Sequence, residues 1–416
     1  MGELVRLHEA RDKHINHLER LALCESIVDM RSRGQLQGAG HDREELVEKK
    51  ARENLENTFL RDAEIVFSTL SSSANRSFTS LDLKFQVVLI DEAAQASEVE
   101  CLQPLQYGAR HCVLVGDPQQ LPATVLSELA ARCSYGRSMM ERFANDGVYA
   151  IQLNEQFRML PDIREFPSRY FYGDSLRDAQ NVVQLSRSKL ATIYKYLQSK
   201  GEGPPLDGKD DLELLDRAYT VFDVKGTNVR SPQGSLANPE EVSVVLGLYD
   251  YLMGKMSPKG EGEEGKPSVS ASWARCSVGV ITPYRHQRNL LKEAFMKEYG
   301  HVGEGSRACN VRIDTIDSFQ GKERDVVILS CVRSSSASSS SQKKREGDLL
   351  GFVSDIRRMN VAITRSKMML WIVGDMETLQ TDEAWKALIE DAERRALVRR
   401  DAAELIKNWS KEEGEL

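Results

Sequence analysis

The stretch VVLIDEAAQASEVE, residues 87–100, decides the fold because its apolar run stops abruptly at Asp91 and Glu92. A short run of β-branched apolar residues is typical of a strand buried on both faces of a parallel sheet. Sites in such sheets form beyond strand ends, so the two acids predict a site at a sheet edge. One carboxylate can hold hydrated Mg²⁺ while the other orients or deprotonates a water. The pair could equally only cap a neighbouring helix.

Runs of the same texture recur from residue 63 onwards. They read AEIVFSTL, FQVVLID, CVLVGD, VYAIQL, SVGVIT, VRIDTI, DVVILSCV and MMLWIVGD, and most end at or near Asp, Ser, Thr or Gly. Helical segments such as 124–144 and 284–298 lie between them. This order predicts an α/β fold with parallel sheets. Eight strands exceed one ordinary sheet of this kind, so the sequence predicts two domains, residues 61–150 and 151–393.

Other segments have a different composition. Residues 1–60 are rich in charge with helical apolar spacing, and they predict a helical, stalk-like segment. The stretches 256–272 and 334–348 have linker composition and predict mobile inserts, and 394–416 is a charged tail. After Thr381 the apolar residues fall on one helical face, which predicts a helix docked against the second domain. The residues of that face are Trp385, Leu388, Ile389 and Ala392.

Composition narrows the class of protein. The chain has 416 residues, 41% of them hydrophobic and 29% charged, which is typical of a soluble globular protein. No run approaches the roughly 18 apolar residues of a membrane helix. Seven scattered cysteines without a CxxC pair fit neither a zinc ribbon nor a disulfide framework, and they favour a reducing intracellular compartment. The net charge of −7 excludes a uniformly basic surface but not a local groove for nucleic acid.

Polar residues also follow the next predicted strands. In GDPQQLPAT (116–124), Gln120 can donate to a phosphate or accept from a water. LNEQFRM (153–159) offers Arg158, which can bind phosphate bidentately, beside Phe157, whose ring can stack on a base. The alternative is that Arg158 is a surface arginine next to a core phenylalanine and that neither residue binds a ligand.

These motifs, in this order, resemble those of superfamily-1 helicases, in the branch of senataxin and the nonsense-mediated-decay helicase. The matching stretches are DEAAQ, GDPQQLPATV, NEQFRM, VGVITPYRHQ, VRIDTIDSFQGKERDVVILS and GFVSDIRRMNVAITRSK, together with SLANPEE at 235–241. The resemblance covers about residues 60 to 393. It implies two RecA-like parallel-sheet domains, the first incomplete at its N-terminus, that use ATP and Mg²⁺ to step along single-stranded RNA or DNA. It also implies a nuclear location, with the cytoplasm as the alternative, and no membrane.

Site residues are assigned from the matching motifs and the chemistry of the side chains. The catalytic candidates are Asp91, which would also be the metal ligand, Glu92, Gln120, Arg158 and Arg365, which resembles the family's arginine finger. The ATP-binding candidates are Gln156, Phe157, Gln320, Gly321 and Glu323. The nucleic-acid candidates are Ser68, Thr69, Thr282, Pro283, Tyr284, Thr315 and Ser318, whose hydroxyls and ring could contact phosphates and a base without reading sequence. Serine and threonine at these positions also cap helices routinely.

The family's phosphate loop, G-x4-G-K-[ST], has no counterpart here. Gly260, Gly265 and Lys266 have the spacing, but Pro267 replaces the Ser or Thr, three glutamates intervene, and no strand precedes them. The expectation is therefore a fragment or truncated gene model of a larger helicase, weakly active or inactive by itself. A catalytically dead nucleic-acid-binding module is the main alternative. A metal-dependent nuclease built on Asp91 and Glu92 is a third, which would need more carboxylates than the motifs supply.

Overall fold

The computed structural model describes residues 57–75, 78, 83–184, 217–256, 277–300, 311–334, 351–402 and 404. Nearly all of the predicted stalk-like segment and of the two inserts lies outside these residues, as does most of the tail. The chain divides into two compact units. Unit 1 contains the described residues up to Pro118 together with Pro122–Val148, and unit 2 contains Gln119–Leu121 and the described residues from Tyr149 onwards.

Unit 1 is built around two parallel strands, β1 (Val87–Ile90) and β2 (His111–Leu114). Its helices are α1 (Leu70–Ser73), α2 (Glu98–Leu105), α3 (Glu128–Arg132) and α4 (Met139–Asn145), with a 3₁₀ turn at Ala93–Gln95. The predicted helix over 124–144 is thus two helices. The break falls where Ser134 adopts a left-handed φ of 58° and Ser138 caps α4 by accepting from the Glu141 amide.

In unit 1, the described residues cover one face of the two-stranded sheet and leave the other face exposed. Val88 and Ile90 are buried, whereas Val87 and Leu89 are 56% and 67% exposed. The prediction that this strand is buried on both faces is therefore wrong for the described part of the chain. Side chains alternate along a strand, and among the described residues the core of this unit packs against one side of the sheet.

Two of the eight predicted strands do not form. AEIVFSTL and VYAIQL are irregular, and their apolar side chains lie in solvent: Phe67 is 94% exposed and Leu153 is 82% exposed. Apolar β-branched residues form a strand only where a neighbouring strand accepts their backbone hydrogen bonds. Among the described residues, neither run has such a neighbour.

Unit 2 contains a six-stranded, wholly parallel sheet in the order β12-β5-β11-β10-β8-β9. The strands of the unit are β3 (Glu155–Gln156), β4 (Arg177–Asp178), β5 (Tyr219–Asp223), β6 (Val229–Arg230), β7 (Leu236–Ala237), β8 (Val278–Thr282), β9 (Val311–Thr315), β10 (Arg324–Ser330), β11 (Ser366–Gly374) and β12 (Val398–Arg399). The helices are α5 (Pro161–Phe171), α6 (Pro239–Met256), α7 (Arg285–Tyr299), α8 (Ile316–Phe319), α9 (Ile356–Ile363), α10 (Met376–Leu379) and α11 (Glu383–Arg394), with a 3₁₀ turn at Gly351–Ser354. The parallel α/β architecture is confirmed.

Apolar clusters cover both faces of this larger sheet. Trp371 of β11 is fully buried and meets Phe222 edge to face, with ring centroids 6.1 Å apart. The predicted docking helix is confirmed as α11, whose four predicted face residues are all buried in the other cluster. In the described part of the chain, no helix is both long enough and apolar enough to cross a bilayer.

Candidate functional site

The acidic pair sits directly beyond β1 in unit 1. Asp91 and Glu92 are both exposed, and Glu92 has a left-handed φ of 53°, uncommon for a residue with a side chain. The Asp91 carboxylate accepts the Glu92 amide at 3.0 Å, and the Glu92 carboxylate accepts from the Gln95 amide group at 2.6 Å. Gly116 lies against the next turn, where a Cβ atom would come within 2.9 Å of the Ala94 nitrogen. The turn thus presents two carboxylates to solvent.

The donor set at this edge fits Mg²⁺ delivered with a nucleotide. Mg²⁺ keeps several waters and takes one or two carboxylates plus phosphate oxygens, rather than a cage of protein ligands. Asp91 and Glu92 supply such a pair. Among the described residues, no group of three or more His, Cys, Asp or Glu side chains could hold a metal by itself.

In unit 2 four predicted residues, Gln120, Arg158, Glu323 and Arg365, come together with Lys367, and we call this group the arginine cluster. The Arg158 guanidinium donates to the Glu323 carboxylate at 2.8 Å and to the Thr364 carbonyl at 3.1 Å. Lys367 approaches the other oxygen of the same carboxylate at 2.6 Å. Burial raises the pKa of Glu323, but the hydrogen bonds from Lys367 and Arg158 outweigh it and hold the pKa below its usual range. The carboxylate is therefore ionised and bridges two cations.

Arg365 is held more tightly than its neighbours. It is 2% exposed, and its guanidinium donates to the Val361 carbonyl at 3.0 Å, the Thr364 hydroxyl at 3.0 Å and the Gln120 side-chain oxygen at 3.2 Å. Gln120 belongs to unit 2 by its contacts. The structure therefore brings Gln120 and Arg365 together, as expected for residues acting on one ligand. Arg365 must exchange these partners to contact a phosphate.

The arginine cluster lies at the amino ends of β10 and β11. The Arg324 amide donates to the Arg365 carbonyl at 3.0 Å, and Arg324 pairs with Ser366 at the start of the two strands. In this respect the cluster differs from the acidic pair, which follows the carboxyl end of β1. A loop entering a strand can carry polar side chains as well as a loop leaving it.

The QFRM turn is shaped by Gln156. Its amide group donates to the Met159 carbonyl at 2.7 Å and to Asp178 at 2.6 Å, and its side-chain oxygen accepts the amides of Arg158 and Met159. These hydrogen bonds use both ends of the Gln156 amide group to stabilise the turn. Phe157 projects from this turn with 66% exposure, so its ring is accessible for stacking.

The segment from Thr315 to Glu323 connects the two ends of the sheet. It leaves the carboxyl end of β9, passes through α8 and returns to the amino end of β10, with Phe319 lying so close to Gly279 that a Cβ atom there would be 2.9 Å from the ring. Near its end, Gly321 has a left-handed φ of 71°. The buried Gln320 Nε2 has no hydrogen-bond partner among the described residues, so it is an orphaned donor that an ATP ribose or phosphate oxygen fits.

Most of the nucleic-acid candidates of unit 2 lie at the carboxyl edge. Thr315 donates its hydroxyl to Ser318 at 3.1 Å on the surface, and Thr282 is fully buried with no described partner for its hydroxyl. Pro283 is half-buried. Tyr284 is 4% exposed, which leaves little of its ring for stacking on a base.

Ser68 and Thr69 lie in unit 1. Thr69 caps α1 by accepting the Ser72 amide at 3.1 Å, and Ser68 donates to the Thr69 carbonyl at 2.9 Å. Both are exposed. Their described contacts are those of a helix cap, and a role in binding nucleic acid stays a prediction.

Two residues of the site were missed by sequence reasoning. Lys367 pairs with Glu323, and its place two residues after Arg365 was a usable signal. Asn360 is fully buried and donates to the Gln119 carbonyl at 3.0 Å and to the Tyr172 hydroxyl at 2.8 Å. An asparagine on the apolar face of α9 could have marked this contact.

The chain is similar in sequence to family models and to several known proteins. Two family models, each described as an AAA domain, match residues 8–128 and 135–377. Helicase sen1 of Schizosaccharomyces pombe is 38% identical over 85% of this chain and 18% of its own length. Probable helicase senataxin of Homo sapiens is 30% identical over 83% of this chain and 12% of its own length. The regulator of nonsense transcripts 1 homolog of Drosophila melanogaster is 29% identical over 86% of this chain and 26% of its own length.

The chain therefore spans between 12% and 26% of the length of these relatives. Among solved structures, the PRRSV helicase covers 71% of this chain and 36% of its own at 16% identity. The TM-score of this match is 0.31.

Proposed function

Because the chain belongs to the AAA-domain family of superfamily-1 helicases, in the branch of senataxin and the nonsense-mediated-decay helicase, we propose that it is part of an ATP-dependent RNA or DNA helicase. The arginine cluster of unit 2 carries this proposal. Two arginines, a glutamine and an ionised carboxylate converge there, and such a set suits a nucleotide with several phosphates.

Each candidate has a role that its surroundings allow. Asp91 would hold Mg²⁺ and Glu92 would accept the proton of the attacking water. Arg158 and Arg365 would neutralise phosphate charge, and Gln120 would orient the water or donate to a phosphate oxygen. Bound ATP with Mg²⁺ would supply the phosphoryl group that is transferred to water, and this hydrolysis would supply the free energy for stepping along a strand.

The remaining candidates would hold the rest of the nucleotide. Phe157 offers an exposed ring for the adenine. Gln320 offers its orphaned donor and Glu323 its carboxylate to the ribose or phosphates, and Gly321 provides the left-handed turn between them. Gln156 acts as a positioning residue, because it shapes the turn that presents Phe157 and Arg158.

A single segment supports coupling between nucleotide and nucleic acid. Thr315 and Ser318 stand at the carboxyl edge of the sheet, while Gln320 and Glu323 stand at the other end of the same short crossing. A change of position at either end would be transmitted through α8, because Phe319 packs tightly over Gly279. The strand contacted by Thr315 and Ser318 would be single-stranded RNA or DNA, and we propose a nuclear role in RNA processing.

The proposal is tested by binding of a fluorescent ATP analogue with Mg²⁺ to the 416-residue chain. Arg158→Gln should weaken binding about 10-fold or more, because a charged hydrogen bond to phosphate contributes about 1.5–3 kcal/mol. This variant leaves Glu323 paired with Lys367, so the fold is spared. Arg400→Gln is the matched control, since Arg400 is 65% exposed and pairs with Glu393 elsewhere on the surface. Equal affinities for wild type and Arg158→Gln would contradict the proposal.

ATP turnover gives a separate test. The 416 residues contain no phosphate-loop motif with its Ser or Thr, so we propose that this chain hydrolyses ATP slowly even with nucleic acid present. Robust strand-stimulated turnover by the purified chain would contradict this part of the proposal.

The alternative is a nucleic-acid-binding module without catalysis. One observation favours it: the Arg365 guanidinium is buried and already donates to three groups of the protein. Fluorescence anisotropy with labelled single strands distinguishes the two. Steep salt dependence with no effect of ATP would support the module, whereas an ATP-dependent change in strand affinity supports the helicase.

A further inference from the structure

A pocket of about 480 Å³ opens at the carboxyl edge of the unit 2 sheet, away from the arginine cluster. We call it the Phe352 pocket. Its lining includes two aromatic rings, Tyr284 and Phe352, and three guanidinium groups, from Arg230, Arg333 and Arg358. Its volume falls within the roughly 300–1,000 Å³ of ordinary ligand sites.

Arg333 and Tyr284 form one wall. The Arg333 guanidinium donates to the Tyr284 hydroxyl at 2.7 Å and lies 5.6 Å from the centre of that ring. Burial raises the pKa of Tyr284 despite the opposing effect of Arg333, so the hydroxyl is neutral and leaves the arginine's charge uncompensated. Within the described residues, neither Arg333 nor Arg230 forms an ion pair with a carboxylate. The pocket therefore holds two positive charges available to an anion.

Phe352 lines the pocket next to Tyr284 and is 56% exposed. Its ring is fixed from two sides, by Tyr284 at a centroid distance of 6.1 Å and by the Arg358 guanidinium at 5.1 Å. Arg358 itself is neutralised by Asp355 at 2.8 Å and Asp317 at 3.0 Å, so it orients the ring rather than attracting an anion. A pre-oriented ring loses little conformational entropy on binding a flat ligand.

Two further details support a built site. Gly351 has a left-handed φ of 53°, and a Cβ atom there would overlap the Arg333 guanidinium, so a larger residue would displace that arginine. The ion pair of Arg358 with Asp317 connects the pocket to α8, which carries Ser318, one of the nucleic-acid candidates. The pocket thus lies beside the proposed path of a strand.

We propose that the Phe352 pocket binds one nucleotide of a single-stranded nucleic acid, with the base stacked on Phe352 and a phosphate against Arg333 and Arg230. The inference rests on the proposed function and adds a contact that the motifs did not assign. An exposed ring beside uncompensated cations suits a nucleotide, because every base has a face to stack and every linkage carries a negative charge. Binding in this way is independent of base sequence.

The test is fluorescence anisotropy of the full 416-residue chain with labelled 12-nucleotide oligo-U and oligo-dT over a series of salt concentrations. Phe352→Ala should weaken binding about 5-fold or more at every salt concentration, since base stacking on a ring is sequence-tolerant and substantial. Phe352→Trp should stay within about 2-fold of wild type, because it retains a ring. Arg333→Gln should lower the slope of log affinity against log salt by about 0.7, the value for one phosphate contact on a single strand.

Matched controls separate a pocket effect from a general one. Met296→Ala removes a side chain that is 54% exposed outside the pocket, and Lys386→Gln removes a surface charge that is 59% exposed. Both should bind as wild type. An oligonucleotide carrying 5-bromouridine should crosslink, on irradiation, to the peptide that contains Phe352.

The outcomes are distinct. If wild type binds strands and both Phe352→Ala and Arg333→Gln bind equally well, the pocket inference is overturned while the proposed function stands. If wild type binds neither RNA nor DNA, the strand-binding part of the proposed function fails and the inference fails with it. If UMP alone competes at the pocket while the oligonucleotides do not occupy it, the site takes a free nucleotide and the inference is also overturned.

Discussion

The two units hold their charged candidates in opposite ways. In unit 1, Asp91 and Glu92 lie in solvent at the end of a two-stranded sheet, where the Asp91 carboxylate accepts the Glu92 amide and the Glu92 carboxylate accepts from Gln95. In unit 2, Arg365 is 2% exposed at the start of a central strand of a six-stranded sheet. Residues of the same proposed reaction therefore differ in what they do for the fold. Substitution of Asp91 or Glu92 should change chemistry alone, whereas substitution of the buried Arg365 should also change stability.

The largest expected difference between the two units is in how much a substitution within each sheet lowers stability. Trp371→Ala should lower the free energy of unfolding of unit 2 by about 3–5 kcal/mol, because it leaves a cavity in the buried cluster where Trp371 packs against Phe222. Leu89→Ala in unit 1 should change stability by less than about 1 kcal/mol, since Leu89 is 67% exposed. Hydrogen exchange followed by mass spectrometry reports each unit separately. Comparable losses of protection in the two variants would break the comparison.

The stability of unit 2 should depend on pH through one buried carboxyl. Glu241 is fully buried; burial raises the pKa of its carboxyl to about 8, although the Ser330 hydroxyl at 2.6 Å and the Val332 amide at 2.9 Å oppose the rise. The unfolded carboxyl titrates near about 4.3, so the folded state holds the proton more tightly. The resulting stabilisation is full below about pH 4, declines as the pH rises, and is lost once the pH passes about 8.

Glu241→Gln should therefore flatten the pH dependence of unit 2 stability between about pH 5 and 8, by up to a few kcal/mol across that range. Glu240→Gln is the matched control, because Glu240 is the exposed neighbour on the same helix. The measurement is urea unfolding followed by hydrogen exchange at a series of pH values. Identical pH profiles for wild type and Glu241→Gln would show that this carboxyl does not titrate as described.

The smallest effect concerns the catalytic candidates directly. Arg365→Gln should destabilise unit 2 by about 1–3 kcal/mol, because it strips buried acceptors of their donor. Asp91→Asn should leave the stability of unit 1 within about 0.5 kcal/mol, because Asp91 is exposed. Thermal unfolding monitored by circular dichroism, with exchange data to assign the units, gives both values. An Asp91→Asn variant that destabilises its unit as much as Arg365→Gln would contradict the comparison.

Much of the fold was predictable because its signals are local. Six of the eight apolar runs form or contain parallel strands, and α11 buries the face that its periodicity indicated. The strand β5 was missed: its sequence, YTVFD, is short and lies between charged residues, yet four of its five side chains are buried. What makes YTVFD a strand is its pairing with β11 and β12, which lie more than a hundred residues further along the chain.

Local spacing along the chain was enough to identify the residue types at each strand end, the order of the motifs and hence the family. Which groups meet and which are buried depends instead on how the folded chain packs. Arg158 reaches Glu323 across 165 residues of chain. At the Phe352 pocket, it is Tyr284 that is buried and Phe352 that is exposed, although a tyrosine was the expected stacking ring. The physical reason is that burial and ion pairing depend on what distant segments pack against a side chain, which local periodicity does not encode.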